Sequence, residues 1–293
     1  MFKTGDKDIL YLRFLSDKLP GMNEFNWSFQ HTRFAGISWI PENYSRVMII
    51  IHGIGEHVGR YEQVAAFFMQ QGFAVMGIDH YGHGKSDGKR GTTPGFDFMF
   101  DYLAAFLAHV TATYNKPVVM YGHSMGGGLL TGFLLKRQPA LQAAVISAPA
   151  LIVGAKPGAF LKGVLRVLSA VAPNFRIAQG LDINKISHDK TAVEKFRNDP
   201  LRHDRLSLRL ANDMIRNGAW CLSHADQLTV KTLLLHGNAD AFTAVEGSRL
   251  FAQRAPASLL TYQEWNGYYH ELHNEFSWKE VGLYIAGWLS AIK

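Results

Sequence analysis

Five short apolar runs constrain what this chain can fold into: RVMIIIHG (46–53), FAVMGIDH (73–80), PVVMYGHS (117–124), LQAAVISAPA (141–150) and VKTLLLHGNAD (230–240). Each is apolar for four to six consecutive residues and then runs into glycine or polar residues. Continuous rather than alternating apolarity is what a strand shows when both of its faces are covered. Helical patterns separate the runs, at RYEQVAAFFMQQG (60–72), FDFMFDYLAAFLAHVTATY (96–114) and LLTGFLLKRQ (129–138). SLLTYQEW (258–265) adds a strand, and a closing helix is expected near 274–291. This alternation predicts a doubly wound α/β fold with a mostly parallel sheet flanked by helices. FNWSFQ (25–30) and FAGISWI (34–40) are expected to form an antiparallel hairpin at the sheet edge.

The alternation stops between about 151 and 224, where helical patterns and loops appear but no clear strand. The expected organisation is therefore a core of 1–150 and 225–293 with a helical cap at 151–224. With 293 residues, 47% apolar and 18% charged, the chain can build a large core. The single cysteine, Cys221, excludes an intrachain disulfide and fits a reducing, cytoplasmic setting. The first twenty residues carry charges throughout and lack the apolar run of a signal peptide. No 18-residue apolar stretch is present. A net charge of +6 suits either an ordinary solvated surface or contact with an anionic lipid layer. It comes without the Lys/Arg tracts of a nucleic-acid partner.

VVMYGHSMGGG (118–128) places Gly-x-Ser-x-Gly directly after a buried run and ahead of a helical one. A sharp strand-to-helix turn strains its central residue and lifts the Ser124 hydroxyl above the sheet. The flanking positions come so close that only small side chains fit. A plain glycine-rich turn is the alternative; no GxxxxGK[ST] phosphate loop is present. A serine nucleophile needs a base, and the base needs an orienting acid. In such sheets these follow in the order Ser, Asp/Glu, His, each on a loop after a strand. Asp240 closes LLLHGNAD and His270 lies in NGYYHELH, so Ser124, Asp240 and His270 are the expected triad. His273 competes with His270, which is nearer the loop. Asp226 precedes its strand and belongs at the opposite edge. HELH is not HExxH, so no metal is expected. Oxyanion donors are expected from the N–H of Met125, after the nucleophile, and of Ile54 in HGIGEH (52–57).

IHGIGEHVGRY, DHYGHGKSDG, GHSMGGG, LLLHGNAD and YYHELHNE, in this order, resemble the monoacylglycerol lipase and lysophospholipase group of the α/β-hydrolases over about 45–293. The resemblance implies an α/β-hydrolase fold with an inserted cap, a cofactor-free ester hydrolase, and the same triad and oxyanion residues. It also implies a polar headgroup site to which Glu56, His57 and Arg60 belong, although tying down the loop over the sheet is an equal role for them. DHYGHGKSDG reads as a structural turn beside the site. Two features depart from the family. Phe196 in KTAVEKFRNDPL (190–201) stands where the mammalian lipase has a tyrosine near the headgroup, and His203 and Thr243 occupy the neighbourhoods of its cysteines.

In the cap, KPGAFLKGVLRVLSAVA (156–172) sets Phe160, Val164, Val167, Leu168 and Val171 on one helical face, with Leu161 and Leu165 widening it. Lys162, Arg166 and Ser169 fall opposite. Such a helix either roofs an acyl tunnel and touches a lipid layer, with Phe160 and Leu161 outermost, or is buried on its own domain. The expected reaction is hydrolysis of a monoacylglycerol to glycerol and fatty acid through an acyl-enzyme, with a lipid or small ester as partner. A short-chain carboxylesterase, a lysophospholipase, an acyltransferase and a non-catalytic ligand receptor are the alternatives. Oligomeric state is left open.

Overall fold

In a computed structural model, residues 19–153 and 159–292 are described, without the side chains of 159–162. An eight-stranded sheet holds β1 (Met22–Phe29), β2 (Thr32–Trp39), β3 (Arg46–Ile51), β4 (Phe73–Ile78), β5 (Val118–His123), β6 (Ala143–Ser147), β9 (Thr232–Gly237) and β10 (Leu260–Trp265), in the order β1-β2-β4-β3-β5-β6-β9-β10. From β4 to β10 all neighbours are parallel; β2 runs antiparallel to both β1 and β4. The first two strands form the expected edge hairpin. Its turn residues Gln30 and His31 both have positive φ, 44° and 64°, the sign a tight two-residue hairpin requires. The far end of the Phe25 ring lies over Gly36, its cross-strand partner, and fills the space a side chain would take.

The apolar runs are continuous because successive residues enter different cores. Val47, Ile49 and Ile51 of β3 face one side with Met120 and Ile146; Met48 and Ile50 face the other with Val119 and Leu233. The first side is covered by α2 (Phe96–Tyr114), α3 (Met125–Arg137), α6 (Leu208–Ser223) and α7 (Val245–Arg254). The second is covered by α1 (Glu62–Gln70) and α8 (Trp278–Ser290). Each fully buried large apolar side chain contributes about 1.5–3 kcal/mol, so both layers are strongly specified.

Between β6 and β9 lie α4 (Ala159–Val171), α5 (Lys190–Arg197) and α6. Contrary to the strandless reading of this segment, β7 (Arg176–Ala178) and β8 (Arg205–Ser207) pair antiparallel within it. Three-residue strands are too short to leave a period in the sequence. The inner face of α6 joins the main core: Leu210, Met214 and Cys221 are buried there, and the Asn217 side-chain amide donates to the Gly128 carbonyl of α3 at 2.8 Å. Ser169 of α4 is buried, whereas Val167, Leu168 and Val171 are exposed. The apolar arc of α4 thus turns partly outward. Among the described residues, no helix is long and apolar enough to cross a membrane.

Candidate active site

Between β5 and α3 the chain turns on a single residue. Ser124 has φ 56° and ψ −120°, a conformation that costs a non-glycine residue of order 1–3 kcal/mol. Its neighbours hold it there: its N–H donates to Ser147 O at 3.0 Å, and its carbonyl accepts from Gly128 and Ala150, each at 2.9 Å. The two glycines of the motif are steric necessities. A Cβ on Gly122 would sit 2.7 Å from Gly126 O, and one on Gly126 would overlap the carbonyl oxygens of Ile51 and His52. The helix begins at Met125, four residues before the start read from the apolar pattern. Three glycines there hide the periodicity that the turn itself imposes.

Ser124 Oγ lies 2.9 Å from His270 Nε2, and His270 Nδ1 lies 2.6 Å from Asp240 Oδ2. All three residues are buried or nearly so. Asp240 Oδ1 accepts from the backbone N–H of Phe242 (2.7 Å) and Thr243 (3.1 Å). Its Oδ2 also meets the Thr243 hydroxyl at 2.8 Å and His236 Nε2 at 3.2 Å. His236 is in turn held by Ser248 Oγ at 2.7 Å from Nδ1. Burial raises the cost of ionising Asp240, but the adjacent His270 and the hydrogen bonds outweigh it and hold the carboxyl well below the usual range. Burial likewise opposes charge on His270, yet the Asp240 carboxylate prevails and its pKa rises above the ordinary 6.5. The imidazole is therefore fixed in one orientation and made more basic.

His273 points elsewhere, its ring stacked on Tyr61 with centroids 5.0 Å apart, and burial lowers its pKa to about 4. Asp226 lies just before β9, at the opposite end of that strand from Asp240. Met125 opens α3, so its N–H has no intrahelical acceptor. Ile54 lies in the turn after β3, where its N–H makes no hydrogen bond among the described residues. Both residues sit close to Ser124 in the fold, and Ile54 lines the same cavity. His52 shapes this turn, its Nε2 accepting from His80 N–H at 2.9 Å.

A cavity of about 440 Å³ opens on Ser124 and His270, with Val153, Leu206, Met214, Ile215 and Phe242 among its apolar walls. Glu56 and Phe196 line it as well. His57 and Arg60 do not. Both line a neighbouring recess instead, where His57 Nε2 lies 2.7 Å from Asp199. Arg60 is committed to two carboxylates. Its Nη1 reaches Glu56 at 2.6 Å, and its two terminal nitrogens reach Glu271 at 2.8 and 2.9 Å. Glu56 also accepts from Gly53 N–H at 2.5 Å and from the Tyr61 hydroxyl at 2.8 Å. This clamp joins the Ile54 turn to the residue after His270, and the Phe196 ring covers the Arg60 guanidinium at 4.3 Å. The side chains of Phe160 and Leu161 lie outside the described residues. His203 and Thr243, singled out as departures, both line the cavity. Sequence reasoning missed Glu271 and His236. Each lies inside a motif that was read, one directly after His270 and one four residues before Asp240, but neither position carries a pattern that betrays its contact.

The family model described as serine aminopeptidase, S33, matches residues 42–277. A monoacylglycerol lipase of Mycolicibacterium smegmatis is 32% identical over 254 residues, 86% of this chain and 90% of that protein. An uncharacterized abhydrolase domain-containing protein of Dictyostelium discoideum is 33% identical over 258 residues, 86% of this chain; the match spans only 27% of that protein's length. The crystal structure of a Paleococcus ferrophilus monoacylglycerol lipase superposes with a TM-score of 0.82 at 29% identity, covering 89% of this chain and 99% of that one.

Proposed function

The chain belongs to the serine aminopeptidase S33 family of α/β-hydrolases, and from that premise we propose that it hydrolyses carboxylic esters of glycerol, with monoacylglycerols as substrates. The observation that carries the reading is the hydrogen-bonded line Ser124–His270–Asp240 opening on a largely apolar cavity. His270 takes the Ser124 proton as Oγ attacks the ester carbonyl. Asp240 holds the tautomer and stabilises the imidazolium. The N–H groups of Met125 and Ile54 receive the oxyanion. Collapse breaks the ester C–O bond, and His270 returns the proton to the leaving alcohol. Water, deprotonated by His270, then attacks the acyl-serine and releases the fatty acid. In this reading residues 151–224 act as a cap over the acyl chain, and Glu56, Arg60 and Glu271 brace the oxyanion turn rather than bind the headgroup.

The same reading gives the outward arc of α4 a role. Val167, Val171 and Phe175 are 63%, 79% and 62% exposed, and Leu168, Ile177 and Leu181 extend the apolar surface. A patch of this kind, next to Arg166 and Arg176, suits peripheral contact with a lipid surface that supplies the substrate.

The test is kcat/KM across monoacylglycerols of increasing acyl length, with Ser124→Ala as the blank. A maximum at long chains supports the lipase reading. A maximum at the shortest chains makes the protein a general carboxylesterase, and no turnover above the blank removes monoacylglycerol hydrolysis and sends the search to other esters and ligand binding.

A further inference from the structure

We infer that Arg202 reads a negative charge on the leaving alcohol, so that the substrates include acylglycerols bearing a phosphomonoester as well as neutral ones. The inference rests on the reading of Ser124 as an ester nucleophile and adds to it, within the lysophospholipid alternative already raised, the residue that selects a charged leaving alcohol.

The Phe196 ring carries two guanidinium groups, with the Arg60 carbon 4.3 Å and the Arg202 carbon 4.8 Å from its centroid. The two cations differ in what neutralises them. Arg60 holds Glu56 and Glu271 together. Arg202 has no ion pair and no side-chain hydrogen bond among the described residues, and its Nε is buried without an acceptor. The acids around it are committed elsewhere: Asp199 to His57 at 2.7 Å, and Asp204 to Arg205 at 3.3 Å. Yet Arg202 lines the cavity that holds Ser124.

A partly desolvated guanidinium with free donors favours an anionic oxygen acceptor, and its planar fork matches phosphate better than a neutral hydroxyl. Its position follows from a chain of contacts. Phe196 touches Arg60, Arg60 touches Glu271, and Glu271 follows His270, so Arg202 belongs to the polar end of the cavity. The acyl chain takes the apolar walls, and the alcohol, with any charge it bears, takes the polar end.

The experiment measures kcat/KM for 1-lauroyl-glycerol and for 1-lauroyl-glycerol 3-phosphate, both below their micellar concentrations, in the wild type, Arg202→Gln and Arg202→Lys. The readout is the ratio of phosphate to neutral ester within each protein, which cancels any loss of active enzyme. We expect the ratio to fall about tenfold or more in Arg202→Gln, the scale of one charge-assisted hydrogen bond, and to recover in part in Arg202→Lys. A ratio unchanged within twofold in Arg202→Gln overturns the inference, as does a wild type that cleaves only the neutral ester. If neither ester is cleaved above the Ser124→Ala background, the hydrolase reading itself falls and takes the inference with it; the neutral ester tells the two failures apart.

Discussion

At the scale of single residues, the strain at Ser124 and the clearance at its glycines make sharp demands. Gly126→Ala would drive a methyl group into two strand-end carbonyl oxygens that cannot retreat without breaking the sheet. We expect it to destabilise the protein by more than about 3 kcal/mol, or to abolish soluble expression, as read by thermal melting. Ser124→Ala keeps the fold and should lower kcat by at least about 10⁴-fold. The pH dependence follows from His270, which must be neutral to accept the serine proton. Its pKa is raised above 6.5, so the acid limb of kcat/KM should lie above that value. Asp240→Asn removes the main charge that raises it, leaving burial opposed only by the Glu271 and Glu56 carboxylates. The limb should then shift to lower pH while kcat drops about 10⁴-fold. The stability signs are opposite for the two partners. The raised His270 contributes stability below its unfolded pKa, lost as pH rises through the folded value. The depressed Asp240 contributes above its unfolded pKa, lost as pH falls through the folded value.

At the scale of elements, strong periodicity was legible and weak periodicity was not. The two-faced burial of β3, β5 and β9 writes itself as continuous apolar runs, and the strand-turn-helix context around Ser124 can be read from VVMYGHSMGGG. The start of α3 could not be read so, because its first turn is glycine and exists only because the elbow forces it. Nor could β7 and β8, whose three residues each are held by pairing rather than by pattern. For α4 the apolar face was visible but its direction was not. An apolar arc looks the same whichever way it faces, and only the burial of Ser169 beside the exposure of Val171 shows that part of it turns outward. The consequence is testable. Val171→Asp with Phe175→Asp should cut co-sedimentation with anionic phospholipid vesicles by about tenfold or more, since each exposed apolar side chain inserted is worth up to about 1.5–3 kcal/mol. Equal vesicle binding by the double variant would place lipid contact elsewhere.

At the scale of the whole molecule, one buried cation connects segments that are far apart in the chain. Arg60 ties the turn that carries Ile54 to the loop that carries His270, and through Phe196 it touches the segment between β6 and β9. The sequence offered a loop-tying role for Glu56 and Arg60 but not the contact itself, because the members come from three separate stretches and nothing in the pattern pairs Arg60 with Glu271. The physics makes it a point of failure. Arg60→Met would leave Glu56 and Glu271 facing each other in a buried site, and breaking such an arrangement from one side costs about 3–5 kcal/mol. The two carboxyls already differ. Burial raises Glu56, whereas for Glu271 the paired guanidinium outweighs burial and holds it well below the usual range. Glu271 therefore contributes stability above its unfolded pKa, and that contribution disappears as pH falls through its folded value. In the wild type this contribution should begin to fall away as pH drops through the usual carboxylate range and be gone at the depressed folded value. In Arg60→Met, Glu271 is left buried without its counter-charge and takes up a proton at higher pH, which relieves the cost of its charge, so the denaturant midpoint should drop most near neutral pH and the gap from wild type should narrow as pH falls. Denaturant melts across pH 3–8 for both proteins measure this directly. If the two profiles run parallel, Arg60 adds packing but no charge linkage, and the bracing role assigned to it fails.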